Sequence, residues 1–196
     1  MNLSSFKKTA GILFCFGLTS LCFPLQTLAF ISKEGGFSVW MPGEPRLERV
    51  NHKSFAGNVV ENTYTFKTES EEYSVSYSQL PDIALSLEST KALLIKAKEG
   101  FLKEAHAQEI SFEKIAFVQK EARELTFQII HPNHVKDATG KARFFLVDKK
   151  MYVVMTLNIY DDKENMTHFL NSFRLLNLLS KSFFPFTSPT ISFYKK

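Results

Sequence analysis

The sequence predicts an α+β fold: a mostly antiparallel central sheet covered by helices. Three observations carry this. Runs of β-rich, period-two residues lie both before and after one long stretch of helical period, with little βαβ alternation. The connections between the runs are short and built from turn-forming residues. The chain also has apolar material for a substantial core, with 44% hydrophobic residues and 20 Phe among 196 residues, so aromatic packing is expected to dominate it.

Taken in order, Phe37-Ser38-Val39-Trp40-Met41 alternates and stops at Pro42-Gly43, a short strand and turn. Val59 to Lys67 and Tyr73 to Leu80 are two β-rich runs joined by the polar Thr68 to Glu72, which suits a hairpin ended by Pro81-Asp82. From Leu85 to Ala105 the period changes. Leu87, Leu94, Ala97, Phe101 and Leu102 share one side and Lys91, Lys98, Glu99 and Lys103 the other, which predicts the principal amphipathic helix. Strands are expected around Glu109 to Val118 and Glu121 to Ile130, followed by a loop from His131 to Gly140. Ala142 to Val147 and Met151 to Ile159 then form a hairpin closed by Asp148-Lys149-Lys150. Asp161-Asp162 opens a short closing helix over 163 to 174, with carboxylates at its positive end.

The N-terminus has the three parts of an export signal: Lys7 and Lys8, an apolar run from Gly11 to Phe23, and a small-residue site ending Thr27-Leu28-Ala29. Cleavage between Ala29 and Phe30 is expected, dividing the chain into a signal peptide (1–29), a globular domain (30–176) and an aromatic, basic tail (177–196). The alternative is an uncleaved anchor, since the apolar stretch approaches the roughly 20 residues that span a bilayer. A lipid anchor at Cys22 fits poorly, because bulky Leu21 stands where a small residue is wanted. Cys15 and Cys22 are the only cysteines and both lie in the signal. A mature chain therefore has no thiol chemistry, disulfide or cysteine metal site.

Removing residues 1–29 takes two lysines and no acid, so the formal charge falls from +4 to +2. Lys181, Lys195 and Lys196, with no acid beside them in the tail, supply more than the whole of that excess, so residues 30–176 are close to neutral. This near-neutral domain predicts no nucleic-acid partner.

The sequence holds no Gly-x-Ser-x-Gly elbow and no phosphate-binding glycine loop. His131 and His134, with Asp137, could offer a metal two imidazoles and a carboxylate, but the spacing matches no zinc signature, and a solvated loop is the simpler reading. His52, His106 and His168 are scattered. Glu69, Glu71 and Glu72 read as a solvated turn. Arg123 and Arg143 each lie inside an apolar run. A guanidinium there must find a carboxylate, with Glu124 or Glu121 nearby, or serve an anionic ligand in a groove. In the tail, Phe183, Phe184, Phe186, Phe193 and Tyr194 beside lysines suit a partner groove or an interfacial membrane contact. Pro185 and Pro189 preclude a continuous helix, and a segment folded back on the domain or left loose is the simpler alternative.

Phe37 to Pro45, read as "F-S-V-x-x-P-G-x-P", resembles the opening of a family of exported bacterial proteins with the PsbP-like, Mog-like α/β/α sandwich fold. Tyr73-Ser74-Val75-Ser76-Tyr77 with Leu80-Pro81, Arg123-Glu124-Leu125-Thr126-Phe127, Arg143-Phe144-Phe145-Leu146-Val147, Tyr152-Val153-Val154 and Phe169-Leu170-Asn171-Ser172-Phe173 follow in the family's order. The resemblance implies an α/β/α sandwich and a binding or assembly role rather than catalysis, and it carries over no cofactor and no functional residue. Three readings follow. The first is an exported, non-catalytic factor that binds an envelope protein or a hydrophobic segment. The second is a metal-dependent or hydrolytic enzyme using the His131/His134 loop, and the third a membrane-associated factor held by an uncleaved anchor or the tail.

Overall fold

The computed structural model describes residues 29–54, 57–117, 120–130, 137–159 and 163–176. Among the described residues, ten strands and three helices follow in the order β1 (Phe30–Ser32), β2 (Phe37–Val39), β3 (Arg46–Ser54), β4 (Gly57–Lys67), β5 (Glu71–Gln79), α1 (Asp82–Leu87), α2 (Thr90–Glu104), β6 (Gln108–Phe117), β7 (Lys120–Ile129), β8 (Ala138–Val147), β9 (Lys150–Asn158), α3 (Lys163–Ser172) and β10 (Arg174–Leu175). Seven strands form one antiparallel sheet in the order β3-β4-β5-β9-β8-β7-β6, and β1-β2-β10 form a small second sheet.

Each buried strand of the large sheet sends alternate residues to two cores, as a period of two requires. On β8, Ala142 and Phe144 join Leu93 and Leu94 of α2, with Leu125 and Phe127 of β7. Phe145 and Val147 face the other way, into a larger core with Phe37 and Val39 of β2, Phe169 and Leu170 of α3, and Phe173 and Leu175. Rings centre the larger core: Phe117 and Phe145 stack at 4.3 Å, Phe145 and Tyr152 at 5.4 Å, and Phe37 and Phe173 at 5.4 Å.

Helical cover is thinner than the sequence suggests. The α2 helix packs over β7 and β8, while the opposite face is covered by α3 together with the small sheet. Below the β3-β4-β5 half, the α2-side face carries hydroxyls instead of a core, and Thr63 and Ser76 hydrogen-bond across the strands at 2.8 Å.

Other boundaries also differ from expectation. The single helix over 85–105 is two, because Glu88 and Ser89 are extended and Ser89 Oγ caps α2 by accepting from Ala92 N at 3.2 Å. The loop expected to reach Gly140 ends sooner: Ala138 and Gly140 are buried strand residues of β8. A Cβ on Gly140 would stand 2.4 Å from Phe127 Cζ and 2.7 Å from the Thr156 carbonyl oxygen, so glycine here serves close strand packing rather than a turn. The β8–β9 hairpin turns on Asp148 and Lys149, both at positive φ (48° and 67°), as a two-residue primed turn needs.

Candidate functional site

Arginines half-buried among apolar strands are the first site residues to place. Arg143 faces the larger core from β8. Its Nε donates to Glu124 Oε2 at 2.7 Å, and its Nη1 donates to the Leu170 carbonyl at 2.9 Å and to Asn171 Oδ1 at 3.0 Å. Lys141 Nζ donates to the other Glu124 oxygen at 2.9 Å. Burial pushes the Glu124 carboxyl up, but the hydrogen bonds from Lys141 and Arg143 outweigh it and hold the group below the usual carboxylate value. The arrangement pins the last turn of α3 to the sheet, with a cation at the negative end of the helix. Arg123, on the α2 side, pairs with Glu121 at 3.1 Å, and its guanidinium lies 5.9 Å from the centre of the Phe112 ring.

Asp137 is exposed at the start of β8, whereas His131 and His134 lie outside the described residues, as do Phe183, Phe184, Phe186, Phe193 and Tyr194. At the expected cleavage junction, Ala29 is exposed and Phe30 is the first residue of β1, paired with Val39 and 4.8 Å from the Tyr64 ring. Among the described residues, no three His, Cys, Asp or Glu side chains are grouped to hold a metal ion, and no helix is long and apolar enough to cross a membrane.

A further concavity lies where neither arginine is, on the larger-core face beyond the end of the small sheet. It is an open groove of about 740 Å³. Its floor follows from strand register. Arg49 opposes Asn62, Asn62 opposes Tyr77, and Tyr77 opposes Tyr152, so one row crosses β3, β4, β5 and β9. The next row brings Gln79 opposite Lys150. One wall is the turn between β1 and β2. There Ser32 Oγ accepts from Gly35 N at 3.0 Å, and Gly36 adopts φ +74°, where a side chain would be strained. Tyr152 Oη anchors this turn by donating to the Gly35 carbonyl at 2.8 Å.

Both groove cations reach for that turn. Arg49 Nη2 meets Glu34 Oε2 at 3.0 Å while its Nε donates to Asn62 Oδ1 at 3.0 Å, and Lys150 Nζ donates to the Glu34 carbonyl at 2.8 Å. Lys150 also lies 5.4 Å from the centre of the Tyr77 ring. Tyr77 is 5% exposed, and among the described residues its hydroxyl has no hydrogen-bond partner. Native buried hydroxyls are paired in the large majority of cases. Burial pushes the Tyr77 phenol up to about 12, with the Glu34 charge adding to the shift and Arg49 opposing it. Burial likewise takes Tyr152 to about 12. At neutral pH Tyr77 is therefore a hydrogen-bond donor, beside the Lys150 ammonium in a groove that Arg49 and amide side chains also line. The site can hold an anion and read polar groups beside it.

Sequence reasoning did not find this groove. Tyr77 closes an alternating run and reads as core, and Arg49 sits in a polar stretch with no strand signal. The Gly35-Gly36 pair before Phe37 was the one local sign of a special turn.

No protein-family model matches the sequence, and neither does any curated protein. Among solved structures, the chain is similar to the solution structure of cyanobacterial PsbP (CyanoP) from Synechocystis sp. PCC 6803. The identity is 13% and the TM-score 0.50, covering 76% of this chain and 91% of that one. With the antiparallel sheet and its two unequal coverings already described, this likeness identifies the fold as PsbP-like.

Proposed function

We propose that this protein is an exported, non-catalytic accessory factor that binds another protein through the groove floored by Arg49, Asn62, Tyr77 and Lys150. The observation that carries the reading is the Tyr77 hydroxyl: a buried donor left without a partner at the floor of a cation-lined groove. An unsatisfied buried polar group costs roughly 1–3 kcal/mol, and an incoming acceptor relieves that cost. The other strong polar constellation, Arg143 with Glu124, Asn171 and the end of α3, is occupied in holding the fold together. Export rests on the N-terminal signal pattern, and the aromatic tail is a second candidate contact.

The test is in-cell crosslinking of the full-length protein, with partners identified by mass spectrometry. It is run beside Arg49→Glu, a Lys103→Glu control on the exposed side of α2, and a chain ended at residue 177. One partner recovered with the parent and the control, and lost with Arg49→Glu, supports the reading. Loss only on truncation moves the contact to the tail. The same partner in every sample rejects the groove.

A further inference from the structure

We propose that the groove takes an acidic, extended segment of the partner, and that Glu34 is the chain's own stand-in for the incoming carboxylate. This rests on the binding reading above and specifies what is bound. Among the described residues, Glu34 is the sole acidic one lining the groove, against Arg49 and Lys150, and Lys53 follows on the same face of β3 opposite Asn58. The Arg49–Glu34 pair is 56% and 60% exposed. Pairs this exposed are only weakly stabilising, so a competing carboxylate displaces Glu34 at little cost.

The guanidinium thereby freed offers a fork matched to a carboxylate. Tyr77 lies beneath Lys150, so drawing the ammonium toward a ligand anion uncovers the phenol as a further donor. The amides of Asn58, Asn62 and Gln79 both donate and accept. That suits the peptide groups of a polypeptide rather than a bare anionic headgroup. The concave, open shape also suits a chain lying across the sheet. The row from β3 to β9 spans three strand gaps, about 14 Å, the length of about four extended residues. A membrane surface would instead call for a protruding apolar element, whereas Val60, Leu80 and Pro81 line this concavity.

The probe is a fluorescein-labelled octapeptide alternating Asp and Val, with the same peptide carrying Asn for Asp as its control. Binding is followed by anisotropy with the mature-length protein. The Asp peptide should bind about tenfold or more tightly than the control, and the difference should shrink with added salt. Arg49→Gln and Lys150→Gln should each weaken it by about tenfold and Tyr77→Phe by a few-fold, whereas Glu34→Gln should tighten it by a few-fold. Unchanged urea midpoints for Arg49→Gln and Glu34→Gln show that the effects are local.

The inversion of sign at Glu34 is the decisive reading. Weakening, or no change, on Glu34→Gln overturns the proposal, and so does equal binding of the two peptides or of neither. Displacement of the peptide by free succinate at equal carboxylate concentration would reassign the site to small acids. Lys150-dependent sedimentation with phosphatidylserine vesicles, without peptide binding, would reassign it to membranes. If the crosslinked partner is lost with Arg49→Glu yet the peptide series fails, the binding reading stands and this one falls.

Discussion

Replacing Arg143 by Met keeps the unbranched apolar stem of the side chain and removes its three hydrogen bonds. The donors lost reach Glu124 at 2.7 Å, the Leu170 carbonyl at 2.9 Å and Asn171 at 3.0 Å. Arg143 and Glu124 are 21% and 16% exposed, so the pair is neither surface-screened nor fully desolvated. A hydrogen bond between charged groups contributes roughly 1.5–3 kcal/mol, and a cation at a helix C-terminus roughly 0.3–1 kcal/mol. Lys141 remains on Glu124 and limits the damage. We expect a loss of about 3 kcal/mol, or about 10 °C in Tm for a domain of this size.

The pH dependence follows from Glu124, whose folded pKa lies below its unfolded value. Its contribution is complete above the unfolded value, about 4.3, and is lost as pH falls through the folded one. Urea titrations at neutral pH should therefore show the full gap between the parent and Arg143→Met, and titrations near the folded pKa a smaller one. Adding Glu124→Gln to both backgrounds should give a coupling of about 1.5–3 kcal/mol. A variant within about 0.5 kcal/mol of the parent behaves as a surface substitution. That result, or a gap indifferent to pH, would refute the structural role and return Arg143 to the ligand-binding one considered from the sequence.

Two further outcomes test other parts of the molecule. The Tyr77 and Tyr152 phenols lie above the unfolded value of about 10. Their neutral forms thus stabilise the fold fully below pH 10, and this is lost as pH rises toward 12, at about 1.4 kcal/mol per pH unit for each. Phenolate absorbance should show Tyr77 and Tyr152 among the late-titrating groups, and each Phe variant should remove one. Gly140→Ala forces a Cβ against Phe127 and the Thr156 carbonyl and should cost about 1–3 kcal/mol. An unchanged urea midpoint would show that β8 has room the packing denies.

The hairpins and the amphipathic helix were legible because their periods are local. The β4–β5 pair, joined by the turn in which Thr68 Oγ1 accepts from Ser70 N and Glu71 N, follows the alternation closely. The break at Ser89 was hidden, since helical spacing continues across it and only the cap reveals two helices. The β3 strand was hidden for a different reason. Edge strands are kept charged to deter unwanted pairing, and Arg46–Ser54 accordingly lacks a β-rich pattern. The β1 and β10 strands have three and two residues and exist only because β2 lies between them. Both arginines were legible as residues in need of carboxylates, and Glu121 and Glu124 are those present. The groove was illegible because its floor joins four strands whose register is set by distant pairing.

That pairing shapes how the chain must assemble. Every neighbouring pair in the seven-stranded sheet is consecutive in sequence except β5 with β9. The sheet is thus two meanders, each able to zip from its own turns, joined along one seam between strands some 80 residues apart. Closing a long loop before its contacts form slows folding, so the seam is the natural rate-limiting step. Tyr77 and Tyr152 face each other across it, which means the groove comes into existence only when the two halves meet. A chain halted before that event would carry both hairpin sets and no groove.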